Sequence, residues 1–206
     1  QIIIPTGGGK TMCMIDDAMN EFSRTVLSKT IVVVAPRILL ANQLSAEFLY
    51  HNLDGAAESN ATVNVMHVHS GETHHFSTTK VDEIRQFNYD TACDQKHLLI
   101  FTTYHSLHKI QESNIVVDTI YFDEAHNSVQ KNFFPATEHF SHFAERCYYF
   151  TATPKHSRTP SKAGMNWPEY GQVICQVPAP QLVKEGYILP PKVEVYQSRI
   201  LQKDEL

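Results

Sequence analysis

Cysteine and glycine are scarce in this chain, and it contains no long hydrophobic run. The four cysteines, Cys13, Cys93, Cys147 and Cys175, lack the spacing of a disulfide framework or a metal site. That pattern favours a reducing compartment, so we expect a cytoplasmic protein. No apolar run approaches the roughly 20 residues that a membrane-spanning helix requires, so we expect no membrane partner.

Repeats and low-complexity segments are also missing, and the composition is that of a folded domain. The 206 residues are 42% hydrophobic and 19% charged, which excludes a disordered chain. This length suits one large domain with a substantial buried core.

Three of the eight glycines are consecutive, and they lie between a strand pattern and a helix pattern. Residues 1–4 are apolar and mostly β-branched, whereas residues 12–22 carry apolar side chains at helical spacing. The intervening segment reads Pro5-Thr6-Gly7-Gly8-Gly9-Lys10-Thr11. A strand, a glycine turn and a helix opening on Lys-Thr form the context of a phosphate-binding loop.

This loop predicts an ATP site, because glycine amides and a helix N-terminus together attract phosphate groups. Thr6, Gly7, Gly8 and Gly9 would cradle the phosphates. Lys10 would reach the outer phosphates, and the Thr11 hydroxyl would ligate Mg²⁺. The strict pattern requires glycine where Ile4 stands, and a glycine-rich surface turn is the alternative interpretation.

A second motif follows residues 116–122, an apolar run that predicts a strand ending at Asp123-Glu124-Ala125-His126. In a parallel sheet, a carboxylate at the carboxyl end of a strand lies near the ligand. Asp123 is suited to hold Mg²⁺ through water. Glu124 is suited to orient and deprotonate the attacking water. A solvated acidic turn is the alternative.

A third motif, Thr151-Ala152-Thr153-Pro154, completes a resemblance to a known family. The three motifs, in this order, resemble the first motor domain of superfamily 2 helicases. The most similar branch contains the motor subunits of type I and type III restriction enzymes and related DNA helicases. That branch commonly lacks the leading glycine, which accounts for Ile4. DEAD-box RNA helicases would carry Asp at position 126 and usually Ser-Ala-Thr at the third motif.

The resemblance implies a fold and a domain arrangement. We expect an α/β, parallel-sheet P-loop NTPase (RecA-like) domain with helices on both faces of the sheet. Residues 1–190 would form the ATP-binding domain, truncated at its N-terminus, and residues 191–206 a linker to a second RecA-like domain. That second domain would supply an arginine, and such an arginine raises the rate of hydrolysis by about 10³–10⁵-fold in related NTPases. The chain alone should therefore hydrolyse ATP slowly.

The resemblance also implies roles for residues outside the ATP site. His126, Thr151 and Thr153 would couple the nucleotide state to the partner domain. Two strand ends are similar to segments that contact the nucleic-acid backbone, and their residues are Pro36, Arg37, Thr102 and Thr103. DNA is favoured over RNA. The net charge of −5 does not oppose this, because such electrostatic contacts are local.

The remaining pattern alternates strands and helices, as a parallel sheet requires. The predicted strands cover residues 1–4, 31–35, 62–68, 98–102, 116–122 and 147–150. The predicted helical segments cover residues 12–22, 39–49, 81–88, 104–112 and 136–143. A short helix ending at Gly186 should lead into the Pro190-Pro191 exit from the domain.

A group of histidines and the C-terminal tetrapeptide resemble functional signals but are not interpreted as such. The nearby histidines His67, His69, His74 and His75 lack convergent cysteine or carboxylate partners, so a zinc site is not favoured there. The final Lys-Asp-Glu-Leu is interpreted as a truncation point of a longer chain, not as a retention signal. The alternative functions are an ATP-dependent switch without a nucleic-acid partner, an inert binding module, and the motor subunit of a restriction endonuclease.

Overall fold

The computed structural model describes residues 1–55, 63–190 and Lys192. The strands within these ranges are β1 Ile2–Ile3, β2 Thr30–Ala35, β3 Val63–Val68, β4 Phe76–Ser77, β5 His97–Thr103, β6 Thr119–Phe122, β7 Arg146–Thr151 and β8 Cys175–Gln176. The α-helices are α1 Lys10–Ser23, α2 Ile38–Gly55, α3 Val81–Cys93, α4 Leu107–Ser113, α5 Phe134–Phe143 and α6 Ala179–Lys184. Two short 3₁₀ helices cover Ala125–Asn127 and Pro168–Tyr170.

The described strands form one eight-stranded sheet in the order β4-β3-β5-β2-β6-β7-β1-β8. Every pairing between neighbouring strands is parallel. All carboxyl ends of the strands therefore meet at the same edge, where the turns that follow β1, β2, β5, β6 and β7 gather.

The central strand β2 shows why helices cover both faces of the sheet. Its six residues are all buried, and their side chains alternate between the two faces. Ile31 and Val33 join a core cluster with residues of α1 and α2, whereas Val32 and Val34 join a cluster with residues of α3, α4 and α5. A strand buried on both faces reads as a continuous hydrophobic run, which is what the sequence displays here.

The predicted fold class is confirmed: the sheet is parallel and α-helices lie on both faces. The predicted element types were correct in most places, and the boundaries differ by a few residues. The strand predicted for residues 62–68 begins at Val63 among the described residues, since position 62 lies outside them. The helix predicted from residue 104 begins three residues later, because Tyr104 first extends the sheet by donating its backbone N–H to the Ala35 carbonyl.

Two edge strands were not predicted, namely β4 and β8, each of two residues. Both are too short to show a hydrophobic pattern, and only their pairing with β3 and β1 defines them. The predicted linker at residues 191–206 lies outside the described residues, apart from Lys192. Among the described helices, none has the length and apolar character needed to cross a membrane.

The short helix that was expected before Gly186 is present. Helix α6 ends before Gly186, which has φ of 80°. The Gly186 amide donates to the Val183 carbonyl, and the Tyr187 amide donates to the Leu182 carbonyl. A left-handed glycine after the last helical turn closes a helix in this way.

Candidate functional site

The glycine loop between β1 and α1 is shaped as a cradle for an anion. Gly7 and Gly9 have φ of 79° and 91°, a conformation that favours glycine. A Cβ on Gly8 would lie 2.5 Å from the Ile4 side chain, so a larger residue does not fit there. Helix α1 begins at Lys10 and has no acidic residue in its first turn, so no charge within the helix itself neutralises its positive N-terminal end.

Lys10 and Thr11 occupy the first turn of α1, as predicted. The Lys10 side chain is only 9% exposed, and its Nζ atom donates to the Ile4 carbonyl at 3.3 Å. The same Nζ lies 3.8 Å from the Glu124 Oε1 atom. The glycine loop and the Asp-Glu-Ala-His segment therefore lie face to face, although many residues separate them in the chain.

Asp123 follows the last residue of β6 and sits in a partly desolvated position. Its backbone amide donates to the Val34 carbonyl at 2.9 Å, and the Tyr104 hydroxyl donates to its carbonyl at 2.8 Å. Burial, with the adjacent Glu124 charge as a smaller cause, raises the pKa of Asp123 to about 6. A carboxylate that is costly to ionise without a nearby cation fits a metal ligand.

Glu124 has a left-handed backbone, with φ of 45° and ψ of 53°. Non-glycine residues adopt this region rarely, and such strain is common at functional sites. Asn127 supports the conformation, because its backbone amide and its side-chain amide both donate to the Glu124 carbonyl, at 3.0 and 2.9 Å. Sequence reasoning missed Asn127, since only the backbone geometry reveals its role.

His126 connects the third motif to the Asp-Glu-Ala-His segment and the glycine loop. The His126 Nδ1 atom lies 3.0 Å from the Thr151 hydroxyl and 3.5 Å from Glu124 Oε2. Thr151 Oγ1 in turn accepts the Thr153 backbone N–H at 3.1 Å. Burial lowers the pKa of His126, and the Glu124 charge opposes this in part. The three predicted coupling residues thus form one continuous chain of contacts that ends at Glu124.

Strand order explains why these groups meet. Strand β7, which ends at Thr151, lies between β1 and β6. The Ile4 amide donates to the Thr151 carbonyl at 3.1 Å, which ties the start of the glycine loop to the end of β7. The third motif consequently stands between the first two motifs at the sheet edge.

The exit segment also contacts the glycine loop, which sequence reasoning missed. A Cβ on Gly8 would lie 3.0 Å from the Leu182 side chain, and one on Gly7 would lie 3.5 Å from that of Ile188. Leu182 belongs to α6 and Ile188 follows it. The segment from α6 to Ile188 therefore covers one side of the glycine loop.

The predicted nucleic-acid residues divide into two groups. Arg37 is exposed after β2, beside the half-buried Pro36, and it forms no ion pair with any described residue. Thr102 and Thr103 are buried, with exposed fractions of 0% and 3%. The Thr102 hydroxyl donates to the Val68 carbonyl at 2.8 Å, so it joins β5 to β3. Contact of Thr102 and Thr103 with a nucleic-acid strand stays a prediction, and in this conformation both residues are buried.

Two histidines, His67 in β3 and His69 just after it, form a buried polar cluster. His67 Nδ1 lies 3.0 Å from His69 Nε2, and the other ring nitrogen of His67 lies 3.1 Å from the Ser45 hydroxyl. His69 also approaches the Asn42 side-chain oxygen at 3.2 Å. Burial, followed by the neighbouring histidines, lowers the pKa of His67 to about 4. These ring nitrogens are satisfied by protein partners.

Comparison with protein families gives a clear assignment. The model of the type III restriction enzyme res subunit family (ResIII) matches residues 1–156. A comparison with curated proteins finds no match.

Two solved structures share the fold over most of this chain. One is a nuclease-deletion mutant of the type ISP restriction-modification enzyme LlaGI in complex with a DNA substrate mimic. It is 22% identical, with a TM-score of 0.73, and the match covers 91% of this chain and 18% of that one. The other is the ATP-dependent type ISP restriction-modification enzyme LlaBIII bound to DNA, which is 19% identical with a TM-score of 0.66. That match covers 90% of this chain and 14% of the other.

A more distant similarity is to the Hef helicase domain of Pyrococcus furiosus, at 19% identity and a TM-score of 0.49. It covers 76% of this chain and 30% of that chain. The chain thus spans less than a fifth of the two restriction enzymes. Because the family model covers most of its length, the chain belongs to the type III restriction enzyme res subunit family and is a RecA-like domain of the superfamily 2 helicase type.

Proposed function

We propose that this chain is the ATP-binding domain of a DNA helicase or translocase, such as the motor subunit of a restriction enzyme. The observation that carries the proposal is the chain of contacts from Lys10 through Glu124 and His126 to Thr151. It joins all three motifs at one sheet edge. A structural ion pair would not require a strained backbone at Glu124 or three converging loops.

The loop fits the phosphate groups of ATP. Thr6, Gly7, Gly8 and Gly9 supply a backbone cradle, and the α1 N-terminus adds a positive partial charge. Lys10 holds its ammonium group at the inner side of the loop, where it now bonds the Ile4 carbonyl. A phosphate oxygen would be a stronger, charge-assisted acceptor for that ammonium group.

The site also fits Mg²⁺. Thr11 offers a hydroxyl and Asp123 a carboxylate, the oxygen ligands that Mg²⁺ prefers. The raised pKa of Asp123 supports this, because a bound cation would offset the cost of ionising a partly buried carboxylate. When bound, the ion neutralises charge on the transferring phosphoryl group.

Glu124 is the candidate for orienting the attacking water and accepting its proton. Its carboxylate lies between the Lys10 ammonium and the His126 ring, so both neighbours restrict its orientation. Preorganised groups of this kind lower the barrier by positioning and by electrostatics. His126, Thr151 and Thr153 would pass a change at Glu124 to the end of β7.

The nucleic-acid partner is proposed from the family and from one exposed residue. Family membership and the DNA-bound states of LlaGI and LlaBIII support DNA. Arg37 is exposed at the same sheet edge as the glycine loop, because it follows the carboxyl end of β2. With Pro36 it would contact phosphates without reading the sequence. A second RecA-like domain beyond residues 191–206 and a reducing cytoplasmic location belong to the same proposal.

Replacing Lys10 tests this function directly. We expect Lys10→Ala to abolish binding of a fluorescent ATP analogue while the far-UV circular dichroism stays unchanged. The exposed Lys162→Ala serves as the matched control and should bind as the wild type does. Equal affinity in Lys10→Ala and wild type would exclude the loop as the phosphate site.

A further inference from the structure

A second group of potential ligands lies between α5 and the 3₁₀ helix Pro168–Tyr170. Glu138 and His142 are four residues apart on α5, so they project from one helix face. Glu169 belongs to the 3₁₀ helix. One ligand atom from each of these three side chains lies within 4.8 Å of the other two. No residue of the proposed ATP site takes part.

Glu169 has an unusual carboxylate. Its Oε2 atom is buried and accepts no hydrogen bond from any described residue. Buried carboxylate oxygens are nearly always paired with a donor or a cation, because losing hydration without a partner is costly. Glu169, which brings one ligand atom to the cluster, thus also carries a carboxylate oxygen without a donor among the described residues.

The backbone that presents Glu169 is firmly held. The Tyr149 hydroxyl donates to the Glu169 carbonyl at 3.1 Å. The next residue, Tyr170, is buried, and its hydroxyl lies 2.8 Å from the Ser128 hydroxyl. Trp167 packs edge-on against Phe134 of α5, with ring centroids 5.4 Å apart. These contacts fix the 3₁₀ helix against α5, so the donors converge without a large rearrangement.

The donor set selects a class of metal. One imidazole and two carboxylates suit a borderline ion such as Zn²⁺, and a water would fill the fourth position of its tetrahedron. Mg²⁺ and Ca²⁺ prefer oxygen ligands alone, so the imidazole disfavours them. Glu138 and His142 are exposed, which gives an ion access from solvent.

We propose that Glu138, His142 and Glu169 form a site for a single Zn²⁺ ion. The ion would link α5 to the segment between β7 and β8, and it would place a positive charge beside the Glu169 carboxylate. The ion would fasten the polypeptide that follows the third motif onto the helical layer. The site is separate from the Mg²⁺ proposed at Thr11 and Asp123.

Zinc titration against a chromophoric chelator tests the proposal on protein first stripped with EDTA. We expect one tight equivalent in the wild type and at least tenfold weaker binding in Glu169→Gln and His142→Ala. The matched control is His139→Ala, which removes a histidine of the same helix that lies outside the cluster. It should keep the tight equivalent, and a hundredfold excess of Mg²⁺ should not displace the zinc.

Thermal unfolding supplies a second readout. Zinc at about 100 times its dissociation constant should raise Tm by about 5–10 °C in the wild type and in His139→Ala. It should have no such effect in Glu169→Gln. Without metal, Glu169→Gln should melt no lower than the wild type, because the Glu169 Oε2 atom accepts no hydrogen bond that the change would remove. That result would also show that the variant folds.

Two results would overturn the proposal. One is the absence of any tight zinc equivalent in the stripped wild type. The other is a tight equivalent that survives in both Glu169→Gln and His142→Ala, which would locate zinc elsewhere, for example at the His67 cluster. Neither result would affect the proposed ATP site, which is tested separately through Lys10.

Discussion

Asp123 should destabilise the protein in the absence of Mg²⁺. Burial and the neighbouring Glu124 charge raise the pKa of Asp123 from an ordinary value of 3.8 to about 6. The folded state therefore binds the Asp123 proton more tightly than the unfolded state does. By linkage, stability is lost as pH rises from about 3.8 through about 6, and the full penalty is present above that range.

The size of this penalty follows from the shift. A rise from 3.8 to about 6 corresponds to about 3 kcal/mol of free energy of unfolding at pH 8. At pH 5 the penalty should fall to about half of that, because Asp123 is then mostly protonated when the protein is folded. Asp123→Asn, which cannot ionise, should remove the penalty and raise Tm at pH 8 by about 6–12 °C for a domain of this size.

The assay is thermal unfolding of wild type and Asp123→Asn without Mg²⁺, at pH 8 and at pH 5. Asp16→Asn makes the same chemical change at an exposed position of α1 and should leave Tm almost unchanged. An increase in Tm for Asp123→Asn that is equally large at both pH values would refute the electrostatic reasoning. A loss of stability at pH 8 would refute it as well. The same variant should bind Mg-ATP poorly, since it lacks the carboxylate.

Three further substitutions test the other roles. Glu124→Gln should bind ATP as tightly as the wild type, whereas ATP hydrolysis by a protein that also contains the second motor domain should fall by about 10²–10⁴-fold; an unchanged rate would place the base elsewhere. Arg37→Ala should weaken binding of two unrelated oligonucleotides alike. The slope of the logarithm of the binding constant against the logarithm of the salt concentration should become shallower by about 0.7–0.9; an unchanged slope would remove Arg37 from the interface. Thr102→Val should leave that affinity unaltered but lower the free energy of unfolding by about 1–3 kcal/mol, since the Val68 carbonyl loses its donor; weaker oligonucleotide binding would contradict its placement in the core.

Much of the proposed ATP site rests on signals in the sequence alone. The glycine run, the lysine that follows it and the two carboxylates of Asp123 and Glu124 are local signals, because each depends on neighbours within a few residues. The alternation of strands and helices predicts a parallel sheet, and the strands of a parallel sheet all end at the same edge. The proximity of the motifs follows from that rule.

Tertiary structure alone decided which side chains touch. The position of β7 between β1 and β6 brings Thr151 to His126, and no local pattern encodes strand order. Thr102 looked like a surface hydroxyl at a strand end, yet strand β3 lies beside it and takes its hydrogen bond. The same holds for Asn127, whose support of Glu124 depends on a left-handed backbone.

The convergence of Glu138 and His142 with Glu169 could not be predicted from local sequence either. Helical spacing predicts that the first two share a face, but the third comes from a segment 27 residues beyond His142. Only the packing of the 3₁₀ helix against α5, through Trp167 and Phe134, brings it close. Local sequence determines which chemical groups the chain carries and which elements present them, whereas long-range packing determines which groups share a site.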